Sequence, residues 1–335
     1  MSEISEDLAE MKKKLKEYVH KGRQVGYHEV REEPVIAGKP DVSKIKPLRK
    51  VSSCDARFLA VDCSTRTLKR ANNWGIYLLR ATYALVKGRK VDWGYEEHLS
   101  TVTGDPYTRS NFLTHKRMEL ESELVLNLLS NDIPEFCYED PRSNYVLLDG
   151  GSYFGGQRKF RVSLYDECEK HGIRLLAISK NSPSLHDEKG RDFIAATSML
   201  SPYGTWVYYS VRKADKHRTL YGDVSLVRLC KESRRVFRCD IMEYLTDCDI
   251  HQLISPLTFI SEDPRCLGYP VALWLAHDFS APSDSMLLHY HDQVEETLAA
   301  VGLLDVLRAE EFSCNFPDIL HGVRRPFERE RIEYV

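Results

Sequence analysis

The sequence predicts an α/β protein in which helices flank a mixed β-sheet. Two short apolar segments each end in an aspartate, Asp62 and Asp149, as buried strands often do. Between them, residues 74–86 are rich in aromatic and aliphatic side chains and have the composition of a long strand. After Asp149 the pattern continues with a helical segment and another apolar segment. This strand–helix–strand order favours parallel pairing at the centre of the sheet.

Composition restricts the possible classes of protein. The 335 residues are 42% hydrophobic and 29% charged, which is typical of globular proteins and sufficient for one large domain or two modest ones. No apolar segment approaches the ~20 residues that a membrane helix needs, and the acidic N-terminus has no signal-peptide core. Nine cysteines without a C-x-x-C pair predict neither a zinc ribbon nor a disulfide framework, so we expect a cytoplasmic protein with reduced thiols. Since the net charge is −3, any nucleic-acid contact must depend on local basic patches.

Two peripheral segments are predicted at the ends of the chain. Residues 5–20 form an amphipathic helix, and residues 31–50 form a connector that wraps the core. The helix has an apolar stripe, consisting of Leu8, Met11, Leu15 and Val19. The charged C-terminal tail carries Ile319, Leu320, Val323 and Phe327. These apolar residues either pack on their own subunit or form a surface for self-association or for a partner. We therefore expect residues 1–50 to be a peripheral unit and residues 51–335 to hold the main domain.

The first core segment, 58–61, is predicted to be a buried strand that ends at Asp62. The small residues Cys63, Ser64 and Thr65 follow, and they would allow a bulky anionic substrate to approach the carboxylate. A turn at 87–90 and a returning strand at 91–102 complete an antiparallel meander with the 74–86 strand.

A helix over 110–129 carries a carboxylate on its apolar face. The apolar stripe consists of Leu113, Met118, Leu124, Val125, Leu128 and Leu129. Glu121 falls within this stripe, where a carboxylate is costly unless it is paired or binds a cation. One interpretation is therefore a cation site, and the other is an ion pair with a basic residue such as Arg117 one turn earlier. Glu119 and Glu123 are predicted to face solvent.

The second aspartate follows the apolar strand 145–148 and precedes a glycine-rich loop. A helix over 159–171 and a strand over 173–179 come next, and Lys180 stands at the end of that strand as a phosphate contact or a solvated lysine. Two aspartates in the same pattern favour one shared metal site over two separate turn caps.

The remaining chain contributes a β-rich part and further helices. A helix is predicted over 187–200, and three β segments at 206–211, 224–229 and 236–241 form an insertion, about 204–245, or a small second lobe. The apolar segment 271–277 ends in His277, and a helix over 284–301 carries the alternative ligands His289 and His291.

The order of these elements resembles the ribonuclease-H-like fold, in which acidic residues converge at one end of a mixed sheet. Several segments are also similar to the NurA nuclease family: A-V-D-C-S-T-R, R-M-E-L-E, L-L-D-G-G-S, A-I-S-K and G-Y-P-V-A-L-W-L-A-H. They span roughly residues 55–280, with core elements about 55–200 and 267–301. Cys63 stands where that family usually has glycine, and the long polar loop before Asp149 leaves the helix ligand open between Glu119 and Glu121.

The resemblance implies a metal-dependent DNA nuclease. The implied metal and catalytic residues are Asp62, Glu121, Asp149 and His277, and the implied substrate contacts are Lys180, Arg66 and Tyr269. Carboxylates with one imidazole suit Mn²⁺ or Mg²⁺, and two such ions can drive phosphodiester hydrolysis. The resemblance further implies a homodimer that resects DNA ends in double-strand-break repair with a HerA-like hexameric ATPase. No P-loop motif occurs in the chain, so ATP-driven motion would come from that partner.

Two other functions remain open at this point. The segments V-D-C-S-T-R-T-L-K and L-L-D-G-G-S also look like the phosphate loops of an actin-like sugar or metabolite kinase. Cys63, in place of a glycine-rich hairpin, and the lack of a repeated lobe count against that function. A catalytically silent scaffold of the same fold is the third possibility, and the acidic residue at each implied ligand position counts against it.

Overall fold

Helices and strands alternate along most of the chain in the computed structural model, which describes residues 2–22, 35–130, 140–156, 158–182 and 185–320. The strands are β1 (Val35–Ala37), β2 (Ile45–Pro47), β3 (Arg57–Arg70), β4 (Trp74–Lys87), β5 (Lys90–Thr103), β6 (Asn144–Asp149), β7 (Arg174–Ser179), β8 (Leu185–Asp187), β9 (Trp206–Arg212), β10 (Gly222–Arg228) and β11 (Phe237–Met242). The helices are α1 (Ser2–Lys21), α2 (Pro106–Ser130), α3 (Lys159–Lys170), α4 (Phe193–Leu200), α5 (Ile250–Phe259), α6 (Val271–Phe279), α7 (Asp284–Ala300) and α8 (Leu304–Leu320).

A mixed sheet forms the centre of the fold. Within the described residues, nine strands pair in the order β2-β9-β10-β11-β7-β6-β3-β4-β5, and β1 and β8 form a separate parallel pair. Strand β6 is parallel to both of its neighbours, β3 and β7, and the other pairings in the large sheet are antiparallel. The predicted ribonuclease-H-like mixed sheet with flanking helices is confirmed.

Asp62 does not end a strand, contrary to the prediction from sequence. Strand β3 continues to Arg70, so Cys63, Ser64 and Thr65 are strand residues and not a loop. The long neighbour β4 supports β3 along nearly its whole length, whereas the parallel neighbour β6 pairs with β3 only as far as Val61. Asp62 therefore lies in mid-strand, but at the level where the neighbouring strand β6 ends.

The strands of the predicted insertion extend the main sheet and do not form a separate lobe. Strand β11 pairs with β7 in antiparallel register, and β10 and β9 follow it outward. The described part of the connector, residues 35–50, packs on the main domain, because its short strand β2 pairs with β9 and its strand β1 pairs with β8.

The helix predicted over 187–200 is shorter than expected. Its first residues belong to β8 and to a turn in which the Asp187 carboxylate accepts hydrogen bonds from the backbone N–H groups of Lys189 and Arg191. Helix α4 begins only after Asp192, whose side chain caps the N–H groups of Ile194 and Ala195.

Two residues of the apolar stripe of α1 pack on their own chain. Met11 and Leu15 are fully buried in a cluster with residues of β4, β5, α7 and α8, and Leu8 is partly buried against it. This packing contradicts a free docking surface at Met11 and Leu15, whereas Val19 at the end of the stripe stays 37% exposed. For the C-terminal tail, the side chains of Ile319 and Leu320 and the residues Val323 and Phe327 lie outside the described residues. Among the described helices, none combines the length and the hydrophobicity that crossing a bilayer requires.

Candidate active site

Asp62 and Asp149 lie side by side on the two central parallel strands. Val61 of β3 pairs with Leu148 of β6, so the next residue on each strand is an aspartate. Neighbouring strands are roughly 4.8 Å apart, and side chains at paired positions point to the same face of the sheet. The register thus brings two carboxylates together from positions 87 residues apart, as the sequence pattern predicted.

Helix α6 contributes a histidine to Asp62. The helix begins after Pro270, buries Leu273 and Ala276, and presents His277 near its end. The Nδ1 atom of His277 lies 2.6 Å from Oδ2 of Asp62, and the hydroxyl of Ser280 donates to the same oxygen over 3.3 Å. Asp62 and His277 are therefore in direct contact.

Asp149 contacts the other two residues that the sequence associated with the site. Lys180 follows β7, the other parallel neighbour of β6, and its Nζ lies 2.9 Å from Oδ2 of Asp149. The hydroxyl of Tyr269 donates to Oδ1 of Asp149 over 3.5 Å. Burial, together with the negative charges of Asp149 and Asp62, raises the pKa of Tyr269 well above its ordinary value, so this hydroxyl remains a hydrogen-bond donor.

Asp62 is ionised although it is buried. Burial alone would raise its pKa, but the hydrogen bond with His277 and the positive charges of Lys180 and Arg117 lower the pKa below its ordinary value. Lys180 thus contacts Asp149 and also stabilises the charge on Asp62. Lys180 and Arg117 thus offset part of the negative charge at this end of the sheet.

Glu121 is the helix carboxylate that faces β3. It is buried, and its two oxygens accept hydrogen bonds from the backbone N–H of Cys63 at 3.2 Å and from Arg161 of α3 at 2.6 Å. Burial, with the nearby charge of Asp62, raises the pKa of Glu121 to about 6 despite Arg161. Glu119 instead forms a partly exposed pair with Lys116 at 2.7 Å.

Glu121 forms an ion pair, as one of the two interpretations held, but its partner is not Arg117. The Nε atom of Arg117 donates to the carbonyl oxygen of Cys63 at 2.5 Å, and its Nη2 lies 3.9 Å from Asp62. Arg161 pairs with Glu121 in its place, because α3 packs against α2 and brings this residue within reach.

Three further residues singled out from the sequence lie away from Asp62. Arg66 is four residues further along β3, roughly 13 Å from Asp62 at the usual rise of a strand. On α7, His289 contacts Gln293, and His291 lies 3.6–3.8 Å from Asp292 and Glu295. The histidine at Asp62 is therefore His277 and neither of the two alternatives.

Comparisons with known proteins bear on this arrangement. No family model matches the sequence, and no curated protein does. Among solved structures, the NurA nuclease from Sulfolobus solfataricus matches with a TM-score of 0.56 over 89% of this chain and 95% of that chain, at 14% sequence identity. This chain has the NurA fold. NurA bound to dAMP and manganese (TM-score 0.46, 11% identity, 83% of this chain and 92% of that one) and the catalytic domain of human endonuclease V (TM-score 0.40, 12% identity, 89% and 98%) also match.

The NurA-like sheet is reinforced behind Asp149 by a buried ion pair that the sequence analysis did not single out. Asp240 of β11 accepts hydrogen bonds from both the backbone N–H and the hydroxyl of Ser152, each at 2.8 Å. Arg238 holds the same carboxylate through two bonds of 2.7 and 2.6 Å. The pair fixes the loop that follows Asp149. The sequence feature that could have indicated this ion pair is the presence of two charged residues at alternate positions of an otherwise buried strand.

The residues at this end of the sheet fit a divalent cation by type. Asp62 and Asp149 offer hard carboxylate oxygens and His277 an imidazole, which together suit Mn²⁺ or Mg²⁺. Within the described part of the chain, however, no three acidic, histidine or cysteine side chains are grouped closely enough to hold one ion as they stand. Lys180 and Arg161 each contact a carboxylate where an ion would otherwise supply positive charge. Cation binding at this end of the sheet therefore requires side-chain rearrangement.

Proposed function

We propose that this chain is a divalent-metal-dependent deoxyribonuclease that hydrolyses phosphodiester bonds. The observation that carries the proposal is the pair of adjoining carboxylates, Asp62 and Asp149, with His277 in contact with the first. The fold shared with the NurA nuclease supports it. The metal-binding and catalytic residues would be Asp62, Glu121, Asp149 and His277.

Each residue would have a distinct role. Asp62, Asp149 and His277 would hold the ion, which when bound supplies a Lewis acid for an attacking water and for the leaving 3′-oxygen. Tyr269 orients Asp149 through its hydroxyl. Lys180 can exchange its contact with Asp149 for a phosphate oxygen of the substrate.

Glu121 would support the site from helix α2. Its carboxylate accepts a hydrogen bond from the backbone N–H of Cys63, the residue after Asp62, and adds a third negative charge to the site. Binding a cation would replace part of the positive charge that Arg161 now supplies to Glu121. Arg66, which lies further along β3, would contact the DNA backbone away from the cleaved bond.

The finer aspects of the proposal rest on the segments that resemble the NurA family. They are a preference for Mn²⁺, a centre of two ions, resection of DNA ends in double-strand-break repair, a homodimer, and a HerA-like hexameric ATPase as partner. The residue types support the metal, because an imidazole beside carboxylates shifts the preference from Mg²⁺ towards Mn²⁺.

Cleavage of linear DNA without ATP tests the proposed function. Labelled single-stranded and duplex DNA are incubated with the protein in Mn²⁺, in Mg²⁺ or in EDTA, and a parallel preparation of Asp149→Asn reports contaminating nuclease. We expect cleavage only with a divalent ion, without ATP, and not by the variant. Absence of cleavage with both ions would contradict the proposal. Consumption of ATP in the presence of a sugar would also contradict it and would favour the kinase.

A further inference from the structure

The edge strand β5 exposes two aromatic side chains on the sheet face that carries Asp62. Trp93 is 46% exposed and Tyr95 is 44% exposed. Tyr95 pairs with Thr82 of β4, which in turn pairs with Asp62. Paired residues point to the same face, so Tyr95 lies about two strand spacings, roughly 10 Å, from Asp62.

Both rings pack against neighbours, one of which lies on the helix that carries His277. Phe279 packs against Trp93 with a centroid distance of 4.6 Å, and it follows His277 by two residues on α6. The Arg80 guanidinium lies 4.3 Å from the centroid of Tyr95. The Trp93 and Tyr95 rings are 6.2 Å apart and only 23° from parallel. Each ring thus packs on a neighbour while nearly half of the residue's surface stays exposed. Because the rings are already ordered, binding would cost them little further conformational entropy.

The support of Tyr95 is itself fixed by hydrogen bonds. Glu97 accepts two bonds from Arg80, at 2.8 and 2.6 Å, and a third from the hydroxyl of Tyr290 on α7 at 2.5 Å. The Arg80 guanidinium is therefore held in one position against the Tyr95 ring.

The turn between β4 and β5 adds positive charge next to the aromatic pair. Lys87, Arg89 and Lys90 lie at or beside this turn, and among the residues that the structure describes none of the three has an ionic partner. Lys90 pairs with Lys87 across the hairpin, and because it is three residues from Trp93 its side chain leaves the opposite face of the sheet at this edge. Basic groups beside exposed aromatic rings are the combination that binds single-stranded nucleic acid, through phosphates and stacked bases respectively.

We propose that Trp93 and Tyr95 form a base-stacking platform for single-stranded DNA, and that Lys87, Arg89 and Lys90 contact its phosphates where the strand passes round this edge of the sheet. The inference rests on the proposed nuclease function and adds a DNA-binding surface beside the helix that carries His277. The platform and Asp62 lie on one face of the sheet with helix α6 packed on β4 between them, where Thr82 is fully buried, so a strand stacked on β5 lies beside α6 and does not cross β4. Unpaired cations favour DNA over a second copy of this chain as the occupant, because phosphates complement their charge.

Binding without hydrolysis tests the platform. Fluorescence anisotropy of labelled oligo(dT) is measured in EDTA for the wild-type protein, Trp93→Ala, Tyr95→Ala, the double variant and Trp93→Phe. Loss of base stacking predicts affinity reduced roughly 5- to 100-fold for each alanine variant, while Trp93→Phe stays close to the wild type. Phe312→Ala, which removes an exposed aromatic residue on α8, is the matched control and should bind normally.

A second substrate separates stacking from charge. An abasic oligonucleotide of the same length offers phosphates without bases, so the wild-type protein should bind it as weakly as the double alanine variant binds oligo(dT). The proposal is overturned if the folded double variant binds oligo(dT) normally, or if wild-type protein binds both oligonucleotides equally. It is also overturned if sedimentation shows that the double variant changes oligomeric mass with DNA affinity unchanged, since the rings would then contact a second copy.

The outcomes for the platform and for the nuclease are distinguishable. Binding in EDTA needs neither a metal nor cleavage, so a platform that binds DNA in a protein without nuclease activity would refute only the proposed function. Conversely, metal-dependent cleavage together with normal DNA binding by the folded double variant would refute only the platform.

Discussion

Asp62→Asn is expected to lower the rate of DNA cleavage by on the order of 10²–10³ or more while the protein stays folded. The substitution keeps the shape of the side chain and a hydrogen-bond acceptor for Ser280 and His277, but it removes the negative charge that would hold a cation. Initial rates at saturating Mn²⁺ and thermal unfolding of both proteins measure the two effects. Asp149→Asn, on the neighbouring strand, is expected to behave in the same way.

An aspartate on the surface provides the control for this experiment. Asp292 of α7 has 72% of its side chain exposed, so Asp292→Asn changes the net charge equally without touching the candidate site. Its cleavage rate should match the wild type within about twofold, as expected for a surface substitution. Near-normal cleavage by Asp62→Asn or Asp149→Asn at saturating metal would remove these carboxylates from the mechanism.

Arg161→Met is expected to give the largest loss of stability, about 3–5 kcal/mol in the free energy of unfolding. Arg161 and Glu121 are both buried and are joined by a contact of 2.6 Å. Removing the arginine leaves a buried carboxylate whose pKa, already raised to about 6, loses its main stabilising charge. Urea denaturation monitored by circular dichroism measures the change.

Two comparisons show whether the lost charge is the cause. The double variant Arg161→Met with Glu121→Gln removes both charges and should recover part of the lost stability. Lys170→Met, in the same helix, removes an exposed partner of Glu167 and should change stability by less than about 0.5 kcal/mol. If Arg161→Met were no more destabilising than Lys170→Met, the buried Arg161–Glu121 pair would not stabilise the packing of α3 against α2.

The pairing of Asp62 with Asp149 could be predicted from sequence because both follow apolar strand segments and the intervening order favours parallel pairing. The end of the first strand could not, because β3 continues beyond Asp62 only through support from β4. Helical periodicity likewise placed Glu121 in the core. Its partner Arg161 comes from another helix, however, and no spacing within one helix identifies such a contact.

Long-range pairing accounts for the other differences. The three β segments at 206–241 were recognised individually, but their membership of the main sheet depends on the contact between β11 and β7, which are separated by more than 50 residues. Helix α5 was not predicted for a different, local reason: it contains Pro256, a residue that normally argues against a helix. The exposed aromatic residues of β5 could not be singled out from the sequence, because only the strand register places them on the same face as Asp62.

The position of a bound ion tests the central claim most directly. Crystals soaked in Mn²⁺ and measured at a wavelength where manganese scatters anomalously locate each ion independently of the protein atoms. We predict an anomalous peak within about 2.5 Å of carboxylate oxygens of both Asp62 and Asp149, with His277 turned to the same ion. A protein that shows no peak between β3 and β6 at saturating Mn²⁺, or binds the ion only elsewhere, would contradict the assignment of this end of the sheet as the metal centre.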